Sequence, residues 1–138
     1  MLVVSTGGPE PEKGLRTGSA RYQTKPTMLV APYYGTGTGS GTGAWRTEFV
    51  DRIRRCEYPQ YVWDQLPLGS PSPSILRLDQ IQPLGRHGEA FERTGYSLSD
   101  DALIILDEWL DWILRGKLRE GGLLEECREA FLSERGQT

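Results

Sequence analysis

The apolar segments of this chain are short and extended up to residue 96 and helical only after it, and that order restricts the fold more than any other feature. Residues 1–5 (MLVVS), 26–34 (PTMLVAPYY, closed by Pro32), 60–66 (QYVWDQL) and 74–81 (SILRLDQI) hold β-branched, aromatic and aliphatic residues between Gly, Pro and Ser clusters. Runs of that length and composition read as strands. The helical part opens at residues 97–101 (SLSDD), where Ser99 can cap and two carboxylates in the first turn suit the helix dipole. Leu103, Leu106, Leu110, Ile113 and Leu114 then recur at helical spacing, and Trp109 and Trp112 widen the apolar surface. Gly121-Gly122 breaks the pattern. Residues 123–133 (LLEECREAFLS) form a second, acidic helix that ends near Gly136. Strands followed by helices predict an α+β fold with a small curled sheet or barrel. The first helix is expected on the sheet or partly in a subunit contact.

Composition sets the scale. The chain of 138 residues suits one domain, but its hydrophobic fraction of 37% is diluted by 17 Gly and 9 Pro, which predicts a core smaller than the length suggests. Its apolar runs are too short to span a bilayer, and the opening Met1-Leu2-Val3-Val4 has no basic region of the signal-peptide kind. Cys56 and Cys127 lie far apart with no metal-ligand spacing, so reduced thiols in a cytoplasmic protein are expected. The net charge of −3 is uneven: residues 1–96 carry 11 Lys/Arg against 9 Asp/Glu, and residues 97–138 carry 5 against 10. A polyanion would have to meet a local patch on the first part.

Residues 44–56 (AWRTEFVDRIRRC), a short helix or an irregular arm, supply that patch. Arg46, Arg52, Arg54 and Arg55 are interleaved with Trp45 and Phe49, and Tyr58 follows. Charge and ring stacking together suit single-stranded nucleic acid, although a solvated face is the commoner fate of such a run. Residues 6–24 and the glycine run 35–43 (GTGTGSGTG) read as flexible loops. The run lacks the Lys-Ser/Thr ending and following helix of a phosphate loop. Residues 67–73 read as a turn, and residues 83–96 as a polar connection whose His87 reads as a surface residue.

The segment 74–81 carries the candidate chemistry. On a strand, Arg77 and Asp79 share one face, their Cα atoms roughly 6.5 Å apart, while Leu76 and Leu78 hold the other face in a core. A guanidinium beside a carboxylate can stabilise charge and move a proton. It can equally be a solvated ion pair, the commoner outcome on spacing alone.

Taken in order, these pieces resemble the MazF/PemK family of toxin endoribonucleases. Leu2-Val3-Val4-Ser5 resembles the family's ALVVS strand, and Met28-Leu29-Val30-Ala31-Pro32 its VIVAP strand. Tyr58-Pro59, Tyr61-Val62 and Leu66-Pro67 resemble its P-x-x-V…LP segment. Leu76-Arg77-Leu78-Asp79-Gln80-Ile81 resembles its R-x-DQ-I-R strand, and Arg86 with Thr94-Gly95-Tyr96-Ser97-Leu98-Ser99 its K-x-R…IGRLS lead into the C-terminal helix. The resemblance implies an SH3-like β-barrel with its helix over residues 1–115, loops at about 6–24 and 35–44, and an additional acidic helix at 116–138. It implies a cytoplasmic, metal- and cofactor-independent homodimer that cuts single-stranded RNA and is silenced by a small antitoxin protein, with no membrane role. Arg77 and Asp79 would be catalytic, and Tyr34, Gln80, Arg52, Arg54 and Arg55 would contact RNA. The family normally opens with a GDIVWV strand and a loop holding site residues. Here Met1 stands where its second strand begins, so an unpaired edge is expected. The family's Thr-Ser after VAP-x is Tyr34-Gly35 here. Two alternatives follow: an inactive toxin-like domain that binds RNA or a protein without cutting, and an assembly module built on the tryptophan-bearing helix and the last helix.

Overall fold

The computed structural model describes residues 1–8, 12–16, 18, 27–37, 45–67, 73–86 and 89–136. Most of the expected loop at 6–24, most of the glycine run, most of the 67–73 turn, and His87 lie outside them. The described residues form β1 (Leu2–Ser5), a four-residue helical turn α1 (Lys13–Arg16), β2 (Thr27–Ala31), β3 (Tyr33–Gly35), α2 (Thr47–Arg54), β4 (Tyr61–Gln65), β5 (Pro73–Arg77), a 3₁₀ turn (Leu78–Gln80), β6 (Gln82–Gly85), α3 (Asp100–Arg115) and α4 (Leu123–Gly136). The fold is α+β, with two three-stranded antiparallel sheets, in the orders β1-β2-β6 and β3-β5-β4, and helices at the C-terminal end.

Two corners join the sheets. Pro32 separates β2 from β3, and the 3₁₀ turn separates β5 from β6, so each half of a bent two-stranded ribbon belongs to a different sheet. Proline has no N–H to give a ladder, so the pairing breaks there without an unsatisfied donor. Its carbonyl still accepts from Arg77 N at 2.9 Å, which pins the two corners together. Pro32 therefore turns the chain rather than closing the strand. The expected strand over 74–81 is likewise cut at Arg77, and Asp79 stands on the 3₁₀ turn. Residues 83–96 were expected to be a connection, yet their start lies in β6, with Pro83 on an edge strand where a missing donor does little harm. The sheets do not close into a barrel. Among the described residues β1 pairs only with β2 and β4 only with β5.

The main core lies between the sheets and the C-terminal helices: Ala31, Leu76, Leu78, Leu106, Trp109 and Leu124, with Leu2, Val4, Tyr33, Val62 and Trp112 packed around them. Burying each large side chain contributes roughly 1.5–3 kcal/mol. Ser99 caps α3 as expected, its Oγ accepting from Ala102 N at 3.2 Å, and Gly116 ends it at φ 68°. Of the expected stripe on α3, Leu106, Leu110 and Ile113 pack in or against the core with Trp109 and Trp112, and its two ends do not. Leu106 and Trp109 are buried, whereas Leu103 and Leu114 are 48% and 72% exposed. The bulky Trp109 takes the centre, and its indole N–H is satisfied there by the Pro59 carbonyl at 2.8 Å. The last helix joins the same core through Leu124, and its start is capped from α3: Glu108, almost fully buried, accepts from Leu124 N at 2.9 Å.

Helix α2 ends with a left-handed residue that is not glycine. Cys56 has φ 60°, its N–H donates to Ile53 O at 2.9 Å, and Glu57 N donates to Arg52 O at 3.2 Å. This is the paired hydrogen-bond closure in which glycine is usual, and an L-residue there costs roughly 1–2 kcal/mol.

Candidate functional site

The side chains that the sequence put forward converge at the corner between β5 and its 3₁₀ turn. Arg77 is the last residue of β5 and lies opposite Tyr61 of β4 in the ladder. Tyr34 lies opposite Ile75. Tyr34, Ile75, Arg77, Tyr61 and Trp63 therefore share one face of that sheet, and Tyr33, Leu76 and Val62 point the other way toward the core. Leu78 is anchored in the core, with its N–H on Gln60 O at 2.9 Å. That anchor bends the chain back so that Asp79 reaches the arginine from the turn.

The pair is bidentate: Arg77 Nε donates to Asp79 Oδ1 at 3.1 Å and Nη2 to Oδ2 at 2.6 Å. The side chains remain 24% and 29% exposed, so the pair is open to solvent on one side. The aspartate hydrogen bonds are the first cause holding the Arg77 pKa above its ordinary value. The guanidinium also lies over two rings, 5.4 Å from the centre of Tyr61 and 5.8 Å from that of Tyr34. Guanidinium stacking on rings, added to a two-point fork, fixes the orientation of its plane. Tyr34 in turn donates its hydroxyl to Gln80 Oε1 at 2.8 Å. Arg77, Asp79, Tyr34 and Gln80 thus form one connected group, although the geometry uniting them is a turn and not the expected shared strand face.

Aromatic residues extend the group. Trp45 and Phe49 are stacked at 5.7 Å with 10° between their planes, and Tyr61 meets both edge-on at 5.8 and 5.7 Å. Tyr58 lies 5.2 Å from Phe49 and 6.1 Å from Tyr61. All four rings are half-buried, so each keeps some open surface. Helix α2 packs against β4 and lines this floor with cations. A hydrogen bond with Tyr58 is the first cause raising the pKa of the exposed Arg52. Arg54 lies 5.3 Å over Trp63. Arg55 shares a shallow groove with Glu48, Asp51 and Arg52, and it also lines a crevice with Glu57, Arg128, Phe131 and Leu132. Tyr61 and Trp63, which the sequence reading left out of the site, are central to it. Their signal was an aromatic-rich strand, but only the register sets Tyr61 against Arg77.

On the opposite face, Tyr33 donates its hydroxyl to Asp64 Oδ2 at 3.0 Å. Burial first, and then the Asp64 charge, push this phenol well above its ordinary value. Among the described residues no group of three or more His, Cys, Asp or Glu side chains is placed to hold a metal ion, and no helix is long and apolar enough to cross a membrane. No protein-family model matches the chain, and neither the curated proteins nor the solved structures give a match.

Proposed function

We propose that this chain is a toxin-like endoribonuclease of the MazF/PemK kind, acting on single-stranded RNA as part of a toxin–antitoxin module. The observation that carries the reading is the open Arg77–Asp79 fork beside the ring floor of Trp45, Phe49, Tyr58 and Tyr61. Bases can stack on such rings, contributing roughly 1–3 kcal/mol each, while Arg52, Arg54 and Arg77 meet phosphates. The bent β2–β3 and β5–β6 ribbon, each half in a different sheet, supports an incomplete SH3-like barrel. Cytoplasmic action, a homodimer and a small antitoxin partner belong to the same proposal and rest on the sequence resemblance alone.

In the reaction, an Asp79 carboxylate oxygen takes the proton of the ribose 2′-hydroxyl. The 2′-oxygen attacks phosphorus, the bond to the 5′-oxygen breaks, and that oxygen takes a proton from solvent while Asp79 releases the one it took. The products are a 2′,3′-cyclic phosphate and a 5′-hydroxyl. The Arg77 N–H groups not used by Asp79 donate to the phosphoryl oxygens as charge develops and assist the leaving oxygen. A positioned base supplies roughly 10²–10⁴-fold and a preorganised donor about 10²–10³-fold. DNA, lacking the attacking hydroxyl, binds without being cut.

The test is cleavage of single-stranded RNA by the purified chain, Arg77→Ala and Asp79→Asn, with product ends identified. Cyclic phosphate ends from the parent and losses of that size in both variants are expected. Equal activity in all three rules out this site. A second reading has its own observation: both Asp79 oxygens are already engaged by Arg77, as in a purely structural pair. RNA binding that weakens in Arg77→Ala, with no cleavage by the parent, selects a binding domain instead.

A further inference from the structure

We propose that Cys56 and Cys127 are a redox-responsive pair that closes an intramolecular disulfide and fastens the C-terminal end of α2 to α4. The two positions are remote in sequence, and the fold brings them together. Arg128 Nε donates to the Cys56 carbonyl at 2.9 Å while its guanidinium lies 4.5 Å over Trp112, so α4 is docked directly on residue 56. Leu124, Cys127 and Arg128 are spaced to share one face of that helix. Leu124 is in the core cluster, and Cys56 packs against the same cluster. The left-handed backbone at Cys56 is held by two hydrogen bonds, and its thiol donates a weak bond to the Arg54 carbonyl at 3.8 Å, which closing the disulfide would give up. Its thiol is pushed up to about 11, by burial first and by the neighbouring Cys127 second, with Arg128 opposing. Both thiols are free and half-buried, within reach of a small oxidant.

A low-molecular-weight disulfide supplies the oxidising equivalents. One cysteine, as thiolate, attacks its S–S bond, giving a mixed disulfide and releasing one small thiol. The second cysteine attacks the protein sulfur of that mixed disulfide, forming the Cys56–Cys127 bond and expelling the other small thiol. Two protein thiols are oxidised, one external disulfide becomes two thiols, and the two protons pass to them. The raised Cys56 value keeps the thiolate scarce near neutrality, so the reaction quickens as pH rises. The bond would hold α2, which carries Arg52 and Arg54, in its docked position. The proposal does not rest on the RNA reading.

The test incubates the full chain with oxidised glutathione at mildly alkaline pH. Thiol titration, intact mass, non-reducing electrophoresis and Tm are then followed. The expected result is a monomer that has lost both thiols and two hydrogens, with Tm raised by roughly 10 °C and restored by dithiothreitol. Cys127→Ser is expected to stop at a glutathione adduct on Cys56. Two stable adducts on the parent, a covalent dimer, unreacted thiols, or an internal bond with Tm unchanged or lowered would each overturn the proposal.

Discussion

Replacing Glu108 by alanine removes the acceptor that starts α4. In the parent its Oε2 accepts from Leu124 N at 2.9 Å in an almost fully buried setting, and a Cβ at Gly122 would lie 2.6 Å from Oε1. The carboxylate therefore rests against the first turn of α4, where the unpaired amides and the positive end of the dipole both favour an anion. A hydrogen bond to a charged group contributes about 1.5–3 kcal/mol, and the dipole about 0.3–1 kcal/mol more. Glu108→Ala is expected to cost about 3 kcal/mol, which for a chain of this size is a fall in Tm of roughly 10 °C. Glu108→Gln keeps an oxygen acceptor and loses the charge, so about half that cost is expected. Gly122→Ala drives a methyl into the carboxylate and should cost a similar amount to Glu108→Ala. Thermal unfolding followed by circular dichroism measures all three. A Glu108→Ala variant within about 1 kcal/mol of the parent, or a Gln variant as unstable as the Ala variant, refutes the capping argument.

Three further outcomes are expected. Tyr34→Phe loses the 2.8 Å bond to Gln80 at an exposed position, so unfolding measurements should show a cost below about 1 kcal/mol, while RNA affinity measured by fluorescence anisotropy falls. Arg52→Ala and Arg54→Ala should each lower the slope of log affinity against log salt by about 0.7, whereas Arg115→Ala on α3 should not change it. The stability contributed by the Cys56 and Tyr33 protons should be complete below pH 9 and fall as pH rises further. The folded chain holds the Cys56 proton up to about 11 against an ordinary 9.0, and the Tyr33 proton above its ordinary 10.0, so the unfolded chain releases both first. Urea unfolding across that range should show the first part of the fall missing in Cys56→Ser and the part above pH 10 missing in Tyr33→Phe.

Local patterning was sufficient to mark β1, β4 and both C-terminal helices, because alternation, capping and turn residues act within a few positions of one another. Ser99 could be named as a cap because its partner, Ala102 N, is three residues away. Arg77 and Asp79 do pair, but through the 3₁₀ turn that carries Asp79 and not through the strand spacing that suggested it. What the sequence did not carry was each segment's environment. Residues 83–96 read as a polar connection, and only pairing with β2 at a sheet edge makes the start of that segment a strand. Leu103 and Leu114 fit the helical period as well as Leu106 does, and only the packing of α3 on the sheets distinguishes them.

From the amino-acid order alone came the α+β class, the basic and aromatic stretch around α2, and an acid and a cation close together. Tertiary structure decided the rest. Strand register set Tyr61 beneath Arg77, the Leu78 anchor turned Asp79 back onto the guanidinium, and the docking of α4 set Arg128 against the Cys56 carbonyl. Those contacts join residues far apart in the chain, or depend on which side chain the core admits. No local preference specifies them, because their free energy arises only once the sheets and helices have packed.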